Sequence, residues 1–116
     1  MNEQQLLQYL ESTLAEAVNF KRNGEYGKAI KLYKDTFNVI EGVPQIHEGL
    51  AKTLAASGNY VEASQQFRKA AKLYSSVNHN EKEELCNWAY EVLNEWDKSS
   101  QDFKTVIDGW SGKLGI

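Results

Sequence analysis

Hydrophobic residues recur every three or four positions along most of the chain, which is the spacing of amphipathic helices. Asn2 is placed to cap a first helix, with Gln5 three residues later to complete a capping box. Gly24 can adopt the left-handed conformation that commonly ends a helix. The pattern predicts a first helix ending near Asn23, whose apolar positions are Leu7, Leu10, Leu14, Ala17 and Val18.

Four further helices are predicted from the same periodicity. The second is bounded by Gly42, and the third starts at Pro44, since proline suits the first turn of a helix. Asn80 and Glu83 form a capping-box pair before the fifth. The predicted spans are 26–41, 44–57, 60–77 and 81–98, followed by a short segment with Phe103, Val106 and Ile107. On the fifth helix, one broad face carries Leu85, Trp88, Ala89, Val92, Leu93 and Trp96, with Cys86 and Tyr90 beside it.

A set of residue types occurs twice at a fixed offset. Gly24, Tyr26, Ala29 and Tyr33 correspond to Gly58, Tyr60, Ala63 and Phe67, each 34 residues later. A constant period of this length is typical of stacked helical repeats. Small residues at Ala17, Ala29, Ala51 and Ala63 are expected to let paired helices approach closely, with Tyr33 and Phe67 filling the space beside them.

These motifs resemble the signature of tetratricopeptide (TPR) repeats over residues 10–77. The matching positions are Ala17, Phe20, Gly24, Tyr26, Ala29, Tyr33, Ala51, Leu54, Gly58, Tyr60, Ala63, Phe67 and Ala70. The resemblance implies a single all-α domain, a right-handed TPR-like solenoid of five to six helices. Its parts are repeat one (1–42), repeat two (43–77), a capping or degenerate third-repeat helix (80–98), and a short helix and tail (99–116).

Composition narrows the class of function. With 116 residues and a net charge of −3, the chain fits one domain with no general attraction to nucleic acid or anionic membranes. A single cysteine excludes an internal disulfide and fits a reducing compartment. The first residues lack the features of a secretion signal, and no apolar run reaches membrane-spanning length. A cytoplasmic location is expected.

The candidates for catalysis are few. Cys86 lies on an apolar helix face without an evident cation, which favours a packed thiol over a nucleophile. His47 and His79 lack a third ligand at metal-binding spacing, and no glycine-rich phosphate loop occurs. We therefore predict a non-enzymatic protein with no metal and no cofactor. An enzyme or small-ligand binder, with a pocket converging on His47 or His79, is the alternative left open.

The TPR resemblance implies a groove lined by the first helix of each pair, which receives a peptide or helix of a partner. The residues mapped there are Glu11, Leu14, Val18, Lys21, Arg22, Gln45, Glu48, Lys52, Ala55 and Lys82. Leu14 and Val18 could instead fill a gap in the core. The family's clamp for acidic chaperone tails maps to Leu14, Val18, Gly49, His79 and Glu83, and none matches. An amphipathic or partly apolar segment is the better expectation.

Three tryptophans, Trp88, Trp96 and Trp110, lie toward the C-terminal end, outside the matched repeats. They predict either a closing core or an exposed interface for a partner or a second copy, since tryptophan is a common interface anchor. The expected function is thus a protein-interaction module, acting as an adaptor or small chaperone. The alternative is an obligate homo-oligomeric assembly subunit, such as a homodimer, that uses the tryptophan-rich face.

Overall fold

The computed structural model describes residues 2–96, and their side chains as far as Asn94. This part consists of helices without a strand, which confirms the all-α prediction. The helices are α1 (Glu3–Arg22), α2 (Tyr26–Thr36), α3 (Pro44–Ala56), α4 (Tyr60–Ser76) and α5 (Asn80–Trp96). The segment with Phe103, Val106 and Ile107, and the tail beyond it, lie outside the described residues.

Helices α1, α3 and α4 end in the same way. In each, an N–H beyond the helix donates to a carbonyl five residues back, and the residue before that N–H has a positive φ. The closing bonds are Glu25 to Phe20, Asn59 to Leu54 and His79 to Tyr74, at 2.8, 2.8 and 2.9 Å. The positive angles belong to Gly24, Gly58 and Asn78, at 76°, 90° and 59°. This is a Schellman closure, so the predicted stops at Gly24 and Gly58 are confirmed.

The starts of the helices are partly as predicted. The capping box of α1 is present, because Gln5 N–H donates to Asn2 Oδ1 at 2.8 Å and Asn2 N–H donates to Gln5 Oε1 at 3.0 Å. Helix α5 begins at Asn80 itself, one residue earlier than predicted. The Glu83 N–H donates to the His79 carbonyl at 3.0 Å. Glu83, which was expected to complete a capping box, therefore takes part in the regular backbone hydrogen bonds of α5.

Helix α2 ends at Thr36, five residues before the predicted end at Glu41. The Thr36 hydroxyl donates to the Leu32 carbonyl at 2.8 Å, as the Thr53 hydroxyl does to the Gly49 carbonyl within α3. The next three N–H groups then pair with carbonyls only three residues back, so the chain tightens into a turn. The predicted end at Glu41 was wrong because hydrophobic residues keep a helical spacing beyond Thr36, where the regular backbone hydrogen bonds of the helix end.

Each helix packs mainly against the next one along the chain, and α3 also contacts α1. The four predicted contact alanines are confirmed in the core: Ala17, Ala29, Ala51 and Ala63 are each 0% exposed. Tyr33 and Phe67 are buried beside them. On α5 the buried line is Cys86, Ala89 and Leu93, whereas Leu85, Trp88, Tyr90 and Val92 are only partly buried. The inner face is therefore narrower than predicted, and its centre lies nearer Cys86.

Gly49, inside α3, lies directly against the ring of Tyr33 from α2. A Cβ atom at position 49 would stand 2.6 Å from the Tyr33 Oη atom and 2.7 Å from Cζ. Glycine normally weakens a helix interior, so this close contact explains its presence here. Gly27, inside α2, has no atom within 4 Å of the corresponding position.

These two helical glycines give a matched stability test. We expect Gly27→Ala to raise the free energy of unfolding by about 0.5–1 kcal/mol, because alanine restricts the unfolded chain and is the better helix former. Gly49→Ala gains the same propensity but drives a methyl group into the Tyr33 ring. It should be less stable than Gly27→Ala by about 1–3 kcal/mol. Urea unfolding followed by far-UV circular dichroism measures both; equal stabilities would contradict the close contact.

Candidate partner-binding groove

A cavity of about 620 Å³ lies between α1 and α3, with Tyr26 and Tyr33 of α2 at its side. We call it the α1–α3 groove. Its lining is Leu14, Val18, Lys21, Arg22, Tyr26, Tyr33, Gln45, Glu48, Gly49, Lys52 and Ala56. Seven residues of the predicted groove are brought together here: Leu14, Val18, Lys21, Arg22, Gln45, Glu48 and Lys52.

The other three predicted residues lie elsewhere. Glu11 is exposed on α1 outside the lining. Ala55 is only 2% exposed and belongs to the hydrophobic core, so its assignment to the groove surface was wrong. Its neighbour Ala56 lines the groove instead. Lys82 reaches from α5 to the Glu48 carboxylate at the groove's edge.

Sequence reasoning missed four lining residues: Tyr26, Tyr33, Gly49 and Ala56. The two on α3 could have been found from helical winding. Gln45, Gly49, Lys52 and Ala56 are spaced by four, three and four residues, which is one face of a helix. The tyrosines carried no such signal, because Tyr33 belongs equally to the buried stripe of α2.

The polar centre of this region is the carboxylate of Glu48, which is 8% exposed. The Tyr74 hydroxyl donates to Glu48 Oε1 at 2.8 Å, and Lys52 Nζ donates to Oε2 at 2.8 Å. Lys82 Nζ donates to the same Oε2 atom at 3.2 Å. One buried carboxylate therefore joins α3, α4 and α5, and each partner is an N–H or O–H donor.

These contacts decide the protonation of the cluster. Burial alone raises the pKa of Glu48, but the hydrogen bond and charge of Lys52, with help from Tyr74 and Lys82, outweigh burial and hold its pKa below the ordinary value. Burial and the hydrogen bond to Glu48 raise the pKa of Tyr74 well above its usual range. Near neutral pH Glu48 is thus a carboxylate and Tyr74 a phenol, with the Lys52 and Lys82 side chains beside them.

The groove carries more positive than negative charge, although the chain as a whole is acidic. Lys21, Arg22 and Lys52 line it, and Glu48 is the one acidic residue among the described lining. The pKa of Lys21 lies below its ordinary value. Burial is the main cause of this shift, and the neighbouring positive charges of Lys52 and Arg22 add to it.

The apolar part of the groove comes from Leu14 and Val18, one turn apart on α1 and both partly buried. Leu14 also packs against the hydrophobic core. The two alternatives drawn from the sequence, core filling and groove lining, are therefore both true of Leu14. The surface of the groove therefore has an apolar strip, formed by Leu14 and Val18, beside basic side chains.

The three residues considered for catalysis, Cys86, His79 and His47, each pack against other side chains. Cys86 is 1% exposed, and burial, with the charge of Glu48, raises its thiol pKa to about 12, which agrees with a packed thiol. The His79 ring meets Tyr74 edge-on, with centroids 5.4 Å apart. His47 stacks on Phe37. Among residues 2–96, no three His, Cys, Asp or Glu side chains are arranged to hold a metal ion.

The tryptophan-rich face is only partly described. Trp88 is half-buried on α5 and lines a depression of about 580 Å³ with His79, Lys82 and Leu85. The Trp96 side chain and Trp110 lie outside the described part. Use of this face for self-association stays a prediction.

Comparison of the chain with models of protein families, with curated proteins and with solved structures finds no match. The TPR resemblance therefore stays a prediction from the sequence. Within the described residues, no helix combines the length and apolar character required to cross a membrane.

The Glu48 cluster predicts a pH-dependent contribution to stability. Because the folded-state pKa of Glu48 lies below the ordinary value of 4.5, its contribution is fully present above that value and is lost as pH falls through the lower, folded-state pKa. We expect Glu48→Gln to be less stable than the natural protein by about 1–3 kcal/mol near neutral pH, since Lys52 and Lys82 lose their counter-charge. Urea unfolding should show this gap narrowing in acid.

Glu11→Gln is the matched control, because Glu11 is an exposed carboxylate outside the groove lining. Its effect should stay within about 0.5 kcal/mol of zero. A Glu48→Gln deficit that persists unchanged in acid would mean that the carboxylate's charge does not stabilise the fold.

Proposed function

We propose that this chain is a TPR-type array of two repeats closed by α5, and that it binds a segment of a partner protein in the α1–α3 groove without catalysing a reaction. Support for the array comes from features that recur 34 residues apart: the Schellman closures at Gly24 and Gly58, and the buried pair Ala29 and Ala63. Glu48 and Lys82, which form an ion pair, are also 34 residues apart in the sequence.

The observation that carries the proposed binding role is the pairing of an apolar strip with excess positive charge in one cavity. Leu14 and Val18 offer partly exposed aliphatic surface, whose complete burial stabilises a complex by roughly 25 cal/mol per Å² before the costs of association. Lys21, Arg22 and Lys52 favour an anion beside that strip. The matching ligand is a peptide segment with apolar side chains next to an acidic one.

Such a segment suits an adaptor or a small chaperone equally, because both roles need reversible recognition of a short stretch of another chain. The cavity of about 620 Å³ accommodates a few side chains rather than a folded domain. A cytoplasmic setting fits the single buried Cys86, which has no disulfide partner in the chain.

A library of random peptides displayed on phage, selected on the natural protein, tests this function. Recovered peptides should contain apolar residues next to Asp or Glu. Their affinity, measured by fluorescence anisotropy, should fall about tenfold or more for Val18→Glu, because a carboxylate then replaces apolar contact area and repels the peptide's acid; tenfold corresponds to about 1.4 kcal/mol.

Val61→Glu is the matched control, since Val61 is 51% exposed on α4 and lies outside the groove lining. It introduces the same charge and should leave peptide affinity unchanged, and far-UV circular dichroism should show the same helix content in both variants. If no peptide is enriched, or if the recovered peptides bind the two variants equally well, the groove is not the binding surface.

A further inference from the structure

We propose that a second cavity, on another side of α3 from the groove, binds a small organic anion that has an apolar body. The cavity measures about 430 Å³ and is lined by Phe37, Glu41, Gly42, His47, Lys69, Lys72 and Leu73. We call it the His47 pocket. It lies between the end of α2, the start of α3 and the second half of α4.

The His47 pocket is independent of the α1–α3 groove. The two share no lining residue. On α3, His47 follows the groove residue Gln45 by two positions, which is about 200° around a helix with 3.6 residues per turn. A ligand in one cavity therefore need not touch the other, and this inference does not rest on the proposed function.

The His47 ring is held from two directions. It stacks on Phe37, with ring centroids 4.7 Å apart and an interplanar angle of 22°. Its Nδ1 atom lies 2.7 Å from Oε1 of Gln66, a residue that is only 8% exposed. The contact with Gln66 and the stack on Phe37 together fix the plane of the His47 ring, which forms one wall of the pocket. The ring is therefore a rigid, half-buried aromatic surface of the pocket.

The rest of the lining divides into apolar and charged parts. Phe37 and Leu73 are partly buried and supply aromatic and aliphatic walls. Lys69 and Lys72 lie three residues apart on α4, so they share one side of that helix. Glu41 is the one acidic residue among the described lining, so positive charge exceeds negative charge.

This combination selects a class of ligand. A neutral apolar molecule would make no use of the excess positive charge of Lys69 and Lys72 over Glu41, while an inorganic anion would leave the Phe37 and Leu73 surfaces in contact with water. A molecule with an aryl or branched alkyl body and one carboxylate or phosphate satisfies both parts. The volume of about 430 Å³ is within the range of small-molecule sites, which are mostly apolar with a few placed polar groups.

Phenylacetate and phenyl phosphate are the probes for this pocket, titrated into isotopically labelled protein and followed by NMR. At least one of them should give saturable shifts at Phe37, His47 and Leu73. The neutral analogue 2-phenylethanol and the ring-free anion acetate each lack one half of the recognised chemistry, so each should bind about tenfold more weakly or less. The absence of saturable binding by both probes overturns the proposal, as does equal binding of phenylacetate and 2-phenylethanol.

The double variant Lys69→Gln, Lys72→Gln tests the site, because both lysines are exposed and their loss should not disturb the core. We expect affinity for the anionic probe to fall about tenfold or more. Lys31→Gln, at an exposed lysine on α2 outside the pocket, is the control and should leave affinity unchanged.

Val18→Glu separates the two proposals. It alters the groove alone, so it should retain full affinity for the anionic probe even if peptide binding in the groove is lost or never found. Loss of probe binding in Val18→Glu, or equal loss in the Lys31→Gln control, would show that the anion does not occupy the His47 pocket.

Discussion

The close approach of neighbouring helices is the constraint on which this structure depends. Ala17, Ala29, Ala51 and Ala63 have no exposed surface, and Gly49 lies against the ring of Tyr33 with no room for a methyl group. Side chains this small bring backbones together, so larger residues such as Tyr33 and Phe67 can fill the core beside them without leaving voids. The cavity between α1 and α3 is a consequence, because two helices packed against α2 leave a furrow where they face each other.

The Glu48 cluster links that furrow to helices α4 and α5. Its carboxylate accepts hydrogen bonds from Tyr74 on α4 and Lys82 on α5, while Lys52 on α3 belongs both to the cluster and to the groove lining. An anionic group that entered the groove would therefore compete with Glu48 for Lys52. The carboxylate that pairs with Lys52 of the groove lining also holds Lys82 of the fifth helix, so the groove and the packing of α5 depend on one buried charge.

Helix α3 separates two cavities of different character. One side presents aliphatic residues of α1 beside three basic side chains, and the other presents a stacked Phe37–His47 pair beside two lysines of α4. Both collect positive charge on a chain whose net charge is −3. Basic residues outnumber acidic ones in each described lining, by three to one in the groove and by two to one in the His47 pocket.

Much of the fold was predictable from local patterns. The 34-residue offset, the glycine stops and the contact alanines depend on steric properties of single residues at fixed spacings, and these properties are visible in the chain itself. The end of α2 was not predictable in this way, because the backbone hydrogen bonds tighten to a three-residue spacing after Thr36 while the apolar periodicity continues. The placement of Ala55 also failed, since one helical position separates the core from the groove surface.

The sequence by itself determined that residues 2–96 are mainly helical, where most of these helices stop and which small residues lie between them. Only the tertiary structure decided what the polar residues do. Glu48 and Lys52 are four residues apart on one helix, but only the folded chain brings Tyr74 and Lys82 onto the same carboxylate. Likewise, His47 and Gln66 are 19 residues apart and meet only in the folded chain. Burial and charge at these sites depend on contacts between distant segments, and no spacing rule contains that information.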